Sequence, residues 1–545
     1  MKKTPEILHH EKLLTNHPND ADLLHTLGIL YAKAHYYNEA INKIQQAIQI
    51  KSNDASYYNS LGNIYRKLNQ SSNAKKAFQK AIKINPNYAI VHNNIGNVFF
   101  DAQEYIAAKK SYEKAIELNE NYADAYANLG ILLTQTEHEK AAIAALLKAV
   151  SLNSEHTTAL NQLGDCYLRA QDYQKAGDIF LRVVSINPNN SESQHRLGIA
   201  YFYLKEFKKA QEQFEQTLLL NYNHPEANQY LANTYLQLRD HEKALHYYFR
   251  QLDKQPLFET YYNLGVLLMM QDHFKDALLY FDQALTMNPD DIATYLNCGS
   301  IYLKSNQLEE AIKSYEAALK YNPQDEEIRH ILSAIKQQSI SAKAPAAYIT
   351  HLFDQYAPYY EHHLTARLDY QVPQKIEQVL ALDFPNTQFH TILDLGCGTG
   401  VCGAYLKPLC QKLIGVDLSE AMLTLAREKN CYDELICADI MDALNRFNHV
   451  DLMIAADVLP YFGDLNPLFS SMKKALAKNG IFIFNVEKTT QKDFILQTSI
   501  RYAHRKNYIE SLSHQYQFNI IRFDNLVLRK QKNEPVEGYV VVLIT

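Results

Sequence analysis

The stretch Ile392–Gly400, ILDLGCGTG, decides how the second half of this 545-residue chain is read. A short apolar run reaches an aspartate and then meets glycines at 396, 398 and 400. That pattern predicts a strand running into a tight turn whose backbone can approach a ligand closely. The dinucleotide fingerprint G-x-G-x-x-G would place its third glycine where this chain has Val401. Here the glycines alternate, and Asp394 stands two residues before the first. A carboxylate there would repel a pyrophosphate. It suits a ligand that carries an ammonium group.

Working outward, the chain after residue 347 holds runs of strand length: TILDL, KLIGV, ELICA, VDLMIAA, GIFIFNV, FNIIRF and YVVVLI. Helical stretches separate the first five, which predicts a parallel α/β sheet. The last two are joined by DNLVLRKQKNEPVEG, 524–538, with no crossover helix, so they should be antiparallel neighbours. The expectation is a Rossmann-like, mostly parallel, seven-stranded sheet with one reversed strand near its edge. Acids stand where three strands should end. Asp417 closes KLIGVD and suits the two hydroxyls of a ribose, Asp439 closes ELICAD and suits the exocyclic amine of an adenine, and Asp457 follows the fourth strand. Ligands of open α/β sheets bind beyond the carboxyl ends of the strands. One molecule with an amino-acid end, a ribose and an adenine satisfies all these positions: S-adenosylmethionine. The combination resembles the class I methyltransferases, across 348–545. The resemblance implies cofactor contacts from Asp394, Gly396, Cys397, Gly398 and Gly400 in the turn, from Asp417 at the ribose, and from Asp439 with Ile440 at the adenine. It implies packing on the adenosine by Leu418 and Met422, and adds Asp457 near the cofactor. Ser419 is placed to cap the next helix.

Upstream the chain repeats. Glycines at 28, 62, 96, 130, 164 and 198, then Ala232, Gly265 and Gly299, stand 34 residues apart, with one step of 33. An alanine follows each by twelve residues, from Ala40 to Ala311, and prolines such as Pro86, Pro188 and Pro289 close several units. Each unit predicts a helical hairpin with small residues where the helices cross and bulky ones, such as Phe78 and Phe180, around them. Proline stops the second helix. No hairpin buries its apolar face alone; stacked neighbours do. The pattern resembles the tetratricopeptide repeat, nine copies over about 21–325, with a half unit ahead and a cap helix over 326–340. The expected organisation is an all-α superhelical solenoid over 1–340, a linker at 341–347 and the α/β domain over 348–545. The repeat family holds a peptide or partner protein in its concave groove. Asn59, Asn63, Asn94, Asn97, Asn128, Asn263 and Asn297 recur on the first helices and could grip an extended backbone, since an amide both donates and accepts. Ladders of this kind line the repeats of glycosyltransferases that modify serine and threonine.

Three segments resemble predicted methyltransferases fused to such repeats: FDQYAPYYEHHL from Phe353, AADVLPYFGDL from Ala455 and RYAHRKNYIESL from Arg501. The first is expected to fold over the cofactor as a lid, with Tyr356 touching it. Methyl transfer from a sulfonium needs alignment and exclusion of water more than acid chemistry. A hydroxyl or ammonium acceptor also needs a base. Asp457, Tyr461, Glu487 and His504 are the catalytic candidates, on loops after strands and on a late helix, and Arg501 and Arg505 could hold an acidic substrate. After the fourth strand the chain reads DVLPYF rather than the D/N-P-P-Y/F of certain nucleic-acid methylating enzymes.

Composition narrows the classes. A net charge of −6 supplies no general attraction to nucleic acid. No run is long enough for a membrane span, and MKKTPEILHH is not followed by the apolar run of a signal peptide. Seven cysteines without a C-x-x-C pair read as reduced thiols of a cytoplasmic protein rather than a metal site. The sequence leaves three functions open: a methyltransferase acting with a protein or peptide bound to the repeats, a small-molecule methyltransferase with repeats for scaffolding, and an adaptor with a non-catalytic cofactor domain.

Overall fold

The structure, a computed structural model, describes residues 3–337, 342–361, 370–531 and 534–545. The end of the expected cap helix (338–340), the first linker residue and residues 362–364 of the expected lid lie outside the described residues. The chain forms two compact units, Met1–Thr260 and Tyr261–Thr545.

The first unit is helical. Helix Pro5–Asn16 precedes pairs that run from Ala21–Lys33 with Tyr37–Ile50 to Ala227–Gln237 with His241–Lys254. The repeated glycine has a specific contact. A Cβ on Gly62 would lie 2.6 Å from Phe78, and one on Gly164 would lie 2.5 Å from Phe180. The large side chain of the second helix therefore sits on the glycine itself. The partner is a ring or a branched chain sixteen residues on, rather than the alanine the spacing first suggests. The repeated alanine is wholly buried in every unit from Ala40 to Ala311. Between the helices of each pair one residue takes a left-handed conformation, from His35 at φ 63° through Gln103 at 59° to Arg239 at 62°, and none of them is glycine.

The second unit opens inside helix Phe258–Met270, which pairs with Phe274–Met287; Ile292–Lys304 then pairs with Leu308–Tyr321. Helix Glu326–Lys336 follows, capped by Asp325, whose side chain accepts from the Ile328 amide at 3.0 Å. Strands take over after helices Ala346–Tyr356 and Val372–Asp383. They are β1 Phe389–Leu395, β2 Cys410–Asp417, β3 Glu434–Cys437, β4 Val450–Ala455, β5 Leu476–Lys488, β6 Phe494–Leu496, β7 Tyr502–His504, β8 Asn519–Gln531 and β9 Glu534–Ile544. The main run is β3-β2-β1-β4-β5, all parallel. β9 adds to β5 antiparallel and β8 to β9 antiparallel, so β9 is the reversed strand next to the edge. The sheet has nine strands rather than the expected seven. The two extra ones are the short antiparallel pair β6–β7, which joins through β7 to the last residues of β5. The segment 524–538, read as a connection, is instead mostly strand, paired from Asn519↔Ile544 to Gln531↔Glu534.

The central strands are apolar on both sides, as a doubly covered sheet requires. Leu393, Met453, Phe482 and Phe484 face one layer, and Ile392, Leu452, Ile454 and Ile483 face the other. Helix Val372–Asp383 covers the second face through Val372, Ile376 and Val379. The first face shares one continuous core with Phe469 and Met472 of helix Asn466–Ala475 and with Ile331 and Leu332 of helix Glu326–Lys336. The strand order reverses at β1, whose neighbours are β2 and β4, and there the carboxyl ends open a crevice.

Candidate functional site

The glycine turn fills that crevice's floor. Gly396, Gly398 and Gly400 have φ of 66°, 55° and 79°, which side chains resist. The amides of Gly396 and Cys397 donate to the Val416 carbonyl at 2.7 and 3.0 Å, which pins the turn to the end of β2. There Asp417 accepts from the amides of Gly398 and Ser419, each at 2.9 Å. Burial pushes its carboxyl upward, and those amides work against the rise. Ser419 caps helix Glu420–Glu428, accepting from the Met422 amide at 3.1 Å. A Cβ on Gly398 would find its nearest neighbour, Tyr360, only at 3.8 Å, so the space beside it is open.

That space is a cavity of about 170 Å³. Of the residues expected around a cofactor, Gly396, Gly398, Asp417, Leu418, Asp439, Ile440, Asp457 and Tyr356 line it. Of the catalytic candidates, Asp457 and Tyr461 do. Phe353, Tyr360 and Phe462 complete an aromatic wall, and Lys343 and Ala344 close one side. The closing segment is tied down. The Ala344 amide donates to the Tyr461 carbonyl at 2.8 Å, and Lys343 bonds Asp439 at 2.8 Å. Asp439 also caps helix Ile440–Leu444 through the Met441 amide, at 2.8 Å, so both its oxygens are engaged.

At the β4 and β5 ends stands a buried charge cluster. Asp457 has φ 63°, strained for a side-chain-bearing residue, and its amide donates to Asn485 Oδ1 at 2.6 Å. Arg501 donates from Nη2 to Asp457 at 2.6 Å, from Nε to Glu487 at 2.6 Å and from Nη1 to the Tyr461 hydroxyl at 2.9 Å. Arg529 reaches in from β8 and donates from Nη2 to Glu487 at 2.6 Å. Burial raises the Asp457 carboxyl, but the two arginines more than offset it and hold the acid below its ordinary range. Burial raises the Tyr461 phenol.

Other expected positions sit elsewhere. Asp394 does not line the cavity: it is 1% exposed and accepts from the Tyr432 hydroxyl at 2.7 Å. Burial pushes it up to about 7, and its described hydrogen-bond partner is the Tyr432 hydroxyl rather than a group in the cavity. Cys397, Gly400 and Met422 pack behind the lining. Glu487 is 2% exposed and anchors the two arginines from below the lining. His504 lies on β7 rather than on a late helix or an exposed face. Its Nε2 donates to the Gly463 carbonyl at 3.0 Å, and burial lowers its pKa to about 4.

The asparagines of the first helices are largely used between repeats. Asn94 donates to Asn59 and Asn128 to Asn93, each at 2.9 Å across one repeat step. Asn97 accepts from Tyr112 at 2.8 Å, and Asn297 donates to the Tyr262 hydroxyl at 3.4 Å. Asn63 lines a surface pocket with Ser60 and Lys67, and Asn263, two residues before Gly265, stands at the repeat position of Asn94, Asn128 and Asn297.

Comparison with known proteins bears on both halves. A family model described as a methyltransferase domain matches residues 393–484, and tetratricopeptide-repeat models match 62–103, 96–136, 123–156, 155–220, 195–257 and 268–335. The chain joins tetratricopeptide repeats to a methyltransferase domain. Over 116 residues the chain is 33% identical to the biotin biosynthesis bifunctional protein BioHC of Saccharophagus degradans, covering 21% of each chain. It is 33% identical over 116 residues to a putative methyltransferase of Geobacillus, covering 20% of this chain and 47% of that one. It is 29% identical over 101 residues to the malonyl-[acyl-carrier protein] O-methyltransferase of Yersinia pestis, covering 18% of this chain and 38% of that one. The chain thus spans between a fifth and a half of the length of these curated relatives. Among solved structures, YrrB, described as a TPR protein with an unusual peptide-binding site, is 27% identical. That match covers 34% of this chain and 95% of YrrB, with a TM-score of 0.30.

The methyltransferase domain also uses residues the sequence reading passed over. Lys343 lies in what reads as a plain linker. Arg529 lies in what reads as a connection, and its only signal is a lone arginine closing the apolar run Leu526–Leu528. Among the described residues no helix is long and apolar enough to cross a membrane, and no cluster of three or more His, Cys, Asp or Glu is arranged to hold a metal ion.

Proposed function

We propose that this chain is a cytoplasmic S-adenosylmethionine-dependent methyltransferase whose repeats, over 1–340, bind a protein or peptide partner, and whose domain over 348–545 carries the reaction. One observation supports it above the rest. The cavity at the strand-order reversal gathers Gly396, Gly398, Asp417, Leu418, Asp439 and Ile440, a set of groups that matches the parts of that cofactor. Asp417 would take the ribose hydroxyls, Leu418 and Ile440 would flank the base, and Asp439 would accept the exocyclic amine. The bare backbone at Gly396 and Gly398 leaves room for the amino-acid chain. When bound, S-adenosylmethionine supplies a methyl group already activated on a sulfonium. The protein's own part is to position the acceptor and to keep water out, which the wall of Phe353, Tyr356, Tyr360 and Phe462 is built to do. The methyltransferase match over 393–484 spans the turn and the acids that follow it, which favours this reading over a nicotinamide cofactor. The seven cysteines are all unpaired thiols, in keeping with a reducing compartment.

The reading is tested by thermal-shift measurements with S-adenosylmethionine, S-adenosylhomocysteine and NAD. Both adenosyl compounds should raise the melting midpoint in a concentration-dependent way, since a ligand at a hundred times its Kd adds about 2.7 kcal/mol. NAD should leave it unchanged. A shift with NAD alone contradicts the assignment.

A further inference from the structure

Resting on the cofactor reading above, the structure assigns Arg501 and Arg529 to an acceptor subsite: we propose that the group methylated is a carboxylate, held by these two guanidinium groups. Three observations carry this.

The first is position. In the order β3-β2-β1-β4-β5, Asp439 and Asp417 stand at the ends of β3 and β2, whereas Arg501 precedes β7, which pairs with the end of β5. With strands about 4.8 Å apart, β2 and β5 are roughly 14 Å apart. A nucleoside anchored at Asp417 therefore leaves the arginines at the far end of the cavity.

The second is unspent donor capacity. Arg529 is 5% exposed and lines the cavity, yet its Nη1 makes no hydrogen bond and lies 3.5 Å from Asp457 Oδ1. A buried guanidinium nitrogen without an acceptor is costly. The planar fork of arginine matches a carboxylate, with two parallel N–H donors for two oxygens.

The third is that each carboxylate among the described lining residues is already engaged. Asp457 is ion-paired with Arg501 and Asp439 with Lys343, while Asp417 accepts from two backbone amides and faces the ribose in the cofactor reading. The Tyr461 oxygen accepts from Arg501, while Glu487 and His504 are outside the lining. An amine or alcohol acceptor would find no unengaged carboxylate among the described lining residues to take its proton. A carboxylate already bears the attacking lone pair. Transfer forms an O–CH3 bond and breaks the S–CH3 bond, the bonding pair staying on sulfur, and a neutral methyl ester and a neutral thioether result with no proton to remove.

The test measures binding. The intact chain, saturated with S-adenosylhomocysteine, is titrated with acetate, malonate and N-acetylglutamate N-methylamide by ligand-observed NMR, with methylammonium and inorganic phosphate as controls. Malonate and N-acetylglutamate N-methylamide separate a free acid from a peptide side chain as the source. At least one carboxylate should bind while methylammonium does not and phosphate binds at least threefold more weakly. Arg529→Met should weaken the carboxylate at least tenfold and leave S-adenosylhomocysteine affinity within twofold. Should that variant fail to fold, Arg529→Lys should weaken the carboxylate at least threefold under the same condition. No carboxylate binding to the saturated wild-type chain, or phosphate binding as well as carboxylate, overturns the proposal. So does an equal loss of S-adenosylhomocysteine affinity in the variants, which would give the arginines to the cofactor's own carboxylate. Failure of S-adenosylhomocysteine to bind the wild type would instead remove the cofactor reading first, and this proposal with it.

Discussion

Glu487 accepts from Arg501 and Arg529 on one oxygen, both at 2.6 Å, in a site where the acid is 2% exposed. Removing that charge leaves two buried guanidinium groups facing each other with only Asp457 between them. Breaking a buried pair costs about 3–5 kcal/mol. Glu487→Gln is therefore expected to lower the unfolding free energy of the second unit by ~3 kcal/mol in urea denaturation, and an unchanged midpoint would contradict the cluster's role. His504 sets a pH dependence. Its folded pKa is lowered to about 4 by burial, while an unfolded histidine titrates near 6.5. Between those values the unfolded chain takes up a proton that the folded chain refuses. Stability is thus full above about pH 6.5 and falls toward pH 4, by up to ~3 kcal/mol for this residue. His504→Gln should flatten that part of the urea midpoint against pH; a profile identical to wild type would show that His504 ionises freely when folded. At this scale the glycine turn and Asp417 were legible because their chemistry is backbone geometry and charge at a strand end. Asp394 was not, because a sequence cannot show that a tyrosine 38 residues later donates to it and turns it from the cavity.

The helix pairs show how an element can be legible while its turn is not. The 34-residue period named every hairpin, since glycine and alanine at fixed offsets leave one way to pack. The left-handed residue between the helices carries no composition signal, being His35, Gln103, Glu137 or Lys205 in different units. A side chain in that conformation costs roughly 1 kcal/mol. Glu137→Gly, at φ 60°, is expected to raise the stability of the first unit by ~0.5–1 kcal/mol, a gain of a few degrees in its melting midpoint. A loss would show that the side chain matters more than the backbone there. The reverse change tests the packing. Gly164→Leu drives a side chain into Phe180, whose ring already lies 2.5 Å from where its Cβ would stand, and should cost several kcal/mol. In the α/β part, β8 and β9 were read too short because Asp524, Arg529 and Lys530 on β8 and Glu534, Pro535 and Glu537 on β9 break the apolar runs. Asp524 and Lys530 are charges of the kind edge strands commonly carry, whereas Arg529 is buried and lines the cavity. Arg529 was hidden by that misreading.

For the whole molecule, a change in sequence character is not the same as a division of the core. The repeats end by pattern near residue 325, yet the compact units divide at Thr260 and Tyr261. Ile331 and Leu332 of helix Glu326–Lys336 share a core with Leu393, Phe469 and Phe482. A fragment spanning 261–545 should unfold cooperatively. One beginning at 341 loses that helix, exposes the apolar surface beneath it and should bind a hydrophobic dye or lose its sharp transition. Equal cooperativity for the two fragments would mean the shared core contributes little. The repeat pattern could not announce this, because the last helices carry the same spacing whether the next layer is another hairpin or a sheet. The account as a whole depends on one ligand fitting the crevice beside Asp417. Calorimetric titration of the intact chain with S-adenosylhomocysteine tests this most directly. One site per chain is predicted for the wild type, with affinity at least a hundredfold weaker in Asp417→Ala and the helical content of both proteins equal. No heat from the wild type, or undiminished affinity in Asp417→Ala, would contradict it.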